Sequence, residues 1–278
     1  LAGDVYNQED ASVSAQLALR DGFRRLESLS IPVFLVHGNH DPLASRLRSV
    51  RWPGNVTVFG ELPDAVPVFR KGEGTPLAII HGASHASGRE TRNLAALFRR
   101  TEACGLHVGL LHATPGDADG VARYAPFSQG DLKASGMDYW ALGHIHDRRE
   151  VCREPLAAYP GCTQGLHINE PGEKGCLLVT AEARTDGGYA VRTSFRPLGP
   201  AVWKTLDMDL GGAASLDELE NRLRTGLDRA AAEVWSGCEM LLVRLRLQGR
   251  TELDGLLRKG TTCAELADRL REDGSGVP

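Results

Sequence analysis

The sequence predicts an α/β fold with a small α+β unit at its C-terminal end. Three observations lead there. Apolar runs of strand length alternate with segments of helical period up to about residue 150, the pattern of a sheet covered by helices on both faces. From there to about residue 197, short strands follow one another between Gly/Pro turns, enough for a second sheet or a sandwich edge. After Pro200 a strand, a helix and another strand form a separate unit.

Each element has its own signal. Ala15, Leu19, Phe23 and Leu26 fall on one face of a helix over Ala11–Ser28. Pro32-Val-Phe-Leu-Val36 is a buried strand that stops at His37-Gly38. Val56–Phe59, Leu77–His81, Val108–His112 and Tyr139–Gly143 are further strands, with helices expected at Thr91–Arg100 and Ser128–Ala134. Glu150–Arg153, Ala157–Tyr159, Gly175–Ala183 and Tyr189–Pro197 are the short strands that follow. In the last unit, Trp203–Leu210 alternates as a strand and Gly211-Gly212 breaks it. Ser215 and Glu218 form a capping-box pattern; Leu216, Leu219, Leu223 and Leu227 mark the buried side of the helix, and Met240–Leu247 is the returning strand. The expected division is 1–199 and 200–278.

Composition narrows the function classes. Of the 278 residues, 42% are hydrophobic and 24% charged, ordinary for a globular chain. No apolar run approaches the ~18 residues of a membrane span. The net charge of −4 gives no general attraction for nucleic acid, although Arg46, Arg48 and Arg51, and Arg148 with Arg149, are local basic clusters. The six cysteines show no CxxC spacing. They read as free thiols of a reducing, cytoplasmic compartment.

The chemistry sits at strand ends. Gly3-Asp4, Gly38-Asn39-His40-Asp41, His112 and Gly143-His144-Ile145-His146 each close or follow an apolar run. Ligands gather outside the carboxyl ends of strands in open α/β sheets, so these residues are expected to share one cleft. Imidazole, carboxylate and amide oxygen make a mixed N/O set suited to manganese, iron or zinc. The side-chain period of two puts His144 and His146 on one side of the chain. His81 and His85 admit a structural or substrate-side role as well as a metal role.

These motifs, in this order, resemble the calcineurin-like metallophosphoesterase superfamily, and within it the SbcD-type DNA-repair exonucleases, especially their YhaO-like members. Val33-Phe-Leu-Val-His-Gly-Asn-His-Asp-Pro42, Tyr139-Trp-Ala-Leu-Gly-His-Ile-His146 and Tyr159-Pro-Gly161 carry the resemblance. It implies a four-layer αββα sandwich with a C-terminal capping domain. It also implies two divalent metals, manganese foremost, with iron, zinc or magnesium as alternatives. By position, Asp4 would bridge both metals, Asn39, His112 and His144 would complete one, and His146 would serve the other. His40 would be the catalytic histidine, with Asp41 orienting its ring. DNA as substrate, an SbcC-like coiled-coil ATPase partner and a homodimer follow from the same resemblance, and no membrane. The family's first motif, a D-x-H strand, has no counterpart ahead of Gly3. The expectation is therefore that this polypeptide holds the second metal at best. The alternatives are a phosphodiesterase acting on a small phosphoester, or a catalytically impaired binding module.

Overall fold

The computed structural model describes residues 1–7, 11–45, 50–118, 120, 122–185 and 187–273. The chain forms two compact units. One comprises Leu1–Gly161 with Leu177–Phe195, the other Cys162–Cys176 with Arg196–Pro278. Residues 162–176 thus lie with the C-terminal unit, not with the segment that precedes them.

The first unit is α/β. Helix α1 (Val13–Ser28) starts at Ser12, whose hydroxyl accepts from Ala15 N, an N-cap. Strand β1 (Val33–Leu35) pairs in parallel with β2 (Val56–Val58). Phe23, Val33 and Leu35 form a core there, with Leu19, Leu26 and Trp52 against it. The main sheet has six strands: β3 (Asp64–Val68), β4 (Ala78–Ala83), β5 (Leu106–His112), β6 (Tyr139–Gly143), β7 (Arg149–Arg153) and β8 (Leu156–Tyr159). Their spatial order is β3-β4-β5-β6-β8-β7. The four inner strands are parallel, and the two edge strands run antiparallel to them.

Alternation along the strands buries both faces of this sheet. Leu111, Trp140 and Leu142 belong to one core, with Phe98, Leu132 and Tyr159. Leu110 and Ala141 belong to another, with Val36, Phe59 and Ile80. Helix α2 (Gln129–Ala134) opens on a full capping box between Ser128 and Asp131. Strands β9 (Gly175–Ala183) and β10 (Tyr189–Pro197) make a separate two-stranded sheet.

In the second unit, β11 (Ala201–Asp209) and β12 (Met240–Gln248) pair in parallel over nine positions, with α3 (Leu216–Ala232) between them in sequence. Leu210, Leu219, Leu223 and Leu270 form its core.

Three expectations need correction. Thr91–Arg100 is not a helix; only a 3-10 turn forms at Ala95–Leu97. Asn93 accepts from Ala96 N and donates to Asp131, and Glu90 takes the N–H and guanidinium of Arg92. These local bonds compete with a helical ladder. Strand β3 escaped the sequence reading because Pro67 sits within it, and an edge strand tolerates proline. Helices α4 (Asp254–Leu257) and α5 (Gly260–Asp273) also went unread; α5 contributes Leu266 and Leu270 to the second core. Among the described residues, no helix is long and apolar enough to cross a membrane. All six cysteines are free.

Candidate metal centre

The sheet sets the spacing of the site. His112 ends β5 directly opposite Gly143, which ends the parallel neighbour β6. His144 follows one residue later. On the other side, Ala2 bridges Val36 in parallel, so Gly3-Asp4 and Gly38–Asp41 leave adjacent chain ends in the same direction. All four segments therefore converge at the carboxyl end of the strands.

Asp41 joins two of them. Its side chain is 1% exposed. Its Oδ1 accepts from Gly38 N (2.7 Å) and Asp4 N (3.1 Å), and its Oδ2 from Val5 N (3.0 Å). Asp4 in turn accepts the N–H of His40 on Oδ1 at 2.8 Å. The two loops are held by backbone donors on carboxylates, the stronger class of hydrogen bond.

The donor atoms meet in the middle. His112 Nε2 lies 3.2 Å from Asp4 Oδ2 and 3.0 Å from Asn39 Oδ1, and His144 Nδ1 lies 3.2 Å from the same Asn39 oxygen. The opposite ring nitrogens fix the tautomers. His112 Nδ1 is 2.8 Å from the carbonyl of Ala2, and His144 Nε2 is 3.1 Å from that of Ala122. A carbonyl only accepts, so those nitrogens carry the hydrogens. In a neutral ring the inward nitrogen is then a bare lone pair, facing a carboxylate and an amide oxygen. Such a cluster of acceptors fits a cation, and ring N–H groups anchored on backbone carbonyls are the usual support for metal-binding histidines. Asp4, His112 and His144 offer ligand atoms within 4.8 Å of one another.

The electrostatics agree. Burial, reinforced by the neighbouring His112, lowers the His144 imidazole to about 4, so it stays neutral. For Asp4, burial opposes ionisation, but the hydrogen bond and charge of His112 and the contacts from His40 hold its carboxyl below the usual range.

Backbone strain concentrates here too. Among the described residues, four non-glycine residues have positive φ, and two of them are Asp4 (48°) and His144 (101°). Each such conformation costs of order 1–3 kcal/mol and tends to mark functional positions. Gly38 is required by proximity: a Cβ there would lie 2.2 Å from Asp4 Oδ1 and 2.8 Å from the His112 ring.

Of the residues expected at the site, Asp4, Asn39, His112 and His144 are brought together. His146 is exposed and stands outside the Asp4–His112–His144 group, though close enough for its charge to act on His144. The His40 side chain is exposed. Asp41 departs from its expected role. Its oxygens are taken up by three backbone N–H groups, its nearest ring nitrogen is His37 Nδ1 at 3.8 Å, and no hydrogen bond ties it to the His40 ring. His81 and His85 are each hydrogen-bonded to a neighbouring strand. His81 bonds His107 at 2.9 Å, and His85 Nε2 donates to the His112 carbonyl at 2.6 Å. The carbonyls of Ala2 and Ala122 were missed, because backbone acceptors leave no mark in a sequence. Arg46 and Arg48 lie outside the described residues.

With this geometry established, comparison with known proteins is direct. The family model for calcineurin-like phosphoesterases matches residues 1–148, and that for the metallophosphoesterase YhaO middle domain matches residues 203–277. The chain is similar to a Bacillus subtilis (strain 168) protein described as "Uncharacterized metallophosphoesterase YhaO", at 36% identity over 276 residues. That alignment covers 98% of this chain and 64% of the relative.

Proposed function

The chain belongs to the calcineurin-like phosphoesterase family, a family of metal-dependent hydrolases, and from that premise we propose that its substrate is the phosphodiester backbone of DNA. The reading is a repair-type exonuclease whose two divalent metals would be held by Asp4, Asn39, His112 and His144, and by His146. The observation that carries it is the convergence of Asp4 Oδ2, Asn39 Oδ1, His112 Nε2 and His144 Nδ1 at the carboxyl end of the sheet. A bound divalent metal, manganese in the first instance, supplies Lewis acidity toward a phosphoryl oxygen and a nucleophilic water at neutral pH.

The chain's own residues do the rest. His112 and His144 keep their lone pairs inward by donating to Ala2 and Ala122. Asp4 adds the negative charge that favours a cation and fixes the His40 backbone. The exposed His40 ring gives its proton to the departing sugar oxygen. Arg148 and Arg149 follow His146 after one intervening residue, Asp147, and both are exposed. The Arg148 guanidinium lies 3.9 Å from the centre of the Phe195 ring, which positions it without neutralising it. Both arginines favour a polyanionic substrate.

With manganese, the protein should degrade linear duplex DNA, and His40→Ala should abolish this while metal is retained. Undiminished cleavage by that variant would sink the role given to His40. The net charge of −4 favours a second reading, a small phosphodiester. Faster turnover of bis-p-nitrophenyl phosphate than of duplex DNA under the same metal would select it. A coiled-coil ATPase partner and a homodimer belong to the DNA reading and rest on the SbcD resemblance. Co-purification and sedimentation test them.

A further inference from the structure

Beside the Gly38–Asp41 turn lies a cavity of about 260 Å³, whose walls include Tyr6, His37, Pro42, Ser45, Trp52 and Val58. We propose that it is a nucleobase pocket, taking the base of a nucleotide whose phosphate lies at the metal centre. This rests on the phosphodiesterase reading above and adds the part of the substrate that the metal ligands do not address.

The Tyr6 hydroxyl and His37 Nδ1 are both buried, and neither has a hydrogen-bond partner. Buried polar groups are nearly always paired, so each exception asks for a reason. Among the described residues five buried side-chain polar atoms lack a partner, and two of them fall on residues lining one cavity. The other described lining residues are apolar apart from Ser45, with one large aromatic, Trp52, held edge-on by Phe23 at 5.2 Å. An apolar slot with an aromatic wall and a few unpaired polar atoms suits a flat heterocycle with hydrogen-bonding groups on its rim. The volume is on the scale of a single base, too small for a larger planar cofactor.

Position relates the cavity to the reaction. Tyr6 stands two residues after Asp4, and His37 two residues before Asn39. The Asp41 carboxylate is the shared partition: Oδ2 is 3.8 Å from His37 Nδ1, while Oδ1 holds Asp4 N at 3.1 Å. A phosphate on one side and a base on the other are thus separated by one carboxylate, the scale of a nucleotide. The pocket requires neither a second metal nor His40.

The test uses metal-free protein and compounds lacking phosphate, so its outcome is independent of hydrolysis. Deoxyadenosine and thymidine should bind saturably by calorimetry in the millimolar range, whereas deoxyribose should not. Tyr6→Phe removes only the unpaired hydroxyl. It should weaken nucleoside binding about 3- to 10-fold, the worth of one hydrogen bond, and at the same time raise Tm, because an unsatisfied buried hydroxyl is gone. Trp52→Phe, which keeps the contact with Phe23, should weaken binding as well. Absence of saturable nucleoside binding overturns the proposal. So does a lower Tm for Tyr6→Phe, which would mean that the hydroxyl has its partner within the protein. Active hydrolysis with no nucleoside binding would leave the phosphodiesterase reading standing alone; binding without hydrolysis would leave the pocket standing alone.

Discussion

Replacing Asp41 by asparagine keeps the side-chain shape and removes one acceptor oxygen. In the native site Oδ1 holds Gly38 N and Asp4 N, and Oδ2 holds Val5 N. Asparagine can keep the first two bonds by directing its oxygen at them, and its amide then meets the Val5 N–H donor to donor. The loss is one charge-assisted hydrogen bond, about 1.5–3 kcal/mol, plus a newly unpaired backbone donor at about 1–3 kcal/mol, so roughly 3–5 kcal/mol together. Against a typical total of about 5–15 kcal/mol, that is a large fraction. Urea denaturation followed by circular dichroism, on metal-free protein, measures it directly. Manganese affinity should fall in parallel, because the same carboxylate ties the Asp4 loop to the Gly38–Asp41 turn. A variant with unchanged stability and metal affinity but no activity would refute this reasoning. It would return Asp41 to the role implied by the resemblance, orienting the His40 ring.

Two further perturbations follow from the geometry. Gly38→Ala should abolish metal binding, since its Cβ would stand 2.2 Å from Asp4 Oδ1; a manganese-induced rise in Tm that survives the substitution would contradict the crowding argument. Stability should fall on acidification through the buried His81–His107 pair. Burial, with the charges of His107 and Arg100, lowers His81 to about 4, below its ordinary 6.5. The unfolded chain therefore binds the proton first. This contribution is complete above pH 6.5 and is lost as pH falls toward 4, a change of roughly 3 kcal/mol at the full shift. His81→Leu should flatten that part of the profile in chemical denaturation; an unaltered slope would rule His81 out as its source.

Much of the centre was legible because its residues interrupt strong patterns. Asn39, His112 and His144 stand where apolar strands end, and strand alternation with the carboxyl-end rule suffices to group them. The β11–α3–β12 unit was readable for a similar reason, its leucine stripe and Ser215 cap being local signals. What stayed hidden was long-range or backbone in origin. Nothing near Thr91 announces that Asn93 will bond Asp131, 38 residues away, and break the expected helix. The tautomers of His112 and His144 depend on carbonyls of two alanines. Asp41 sits in a motif that suggests chemistry, yet three backbone donors from two loops occupy it. Only the cavity shows that the unpaired nitrogen of His37 and the unpaired hydroxyl of Tyr6 belong to one lining.

The pairing of His112 with Gly143 has a consequence for how such a centre can diversify. The interval between the two imidazoles derives from adjacent strands in a parallel ladder, about 4.8 Å apart, a spacing common to every sheet and independent of the chain that connects them. The crossover from Ala113 to Asp138 can therefore gain or lose residues, provided it still presents the Ala122 carbonyl, without altering the distance between the ligands. The ruler belongs to the backbone, and the loops around it are free to be rewritten for different substrates.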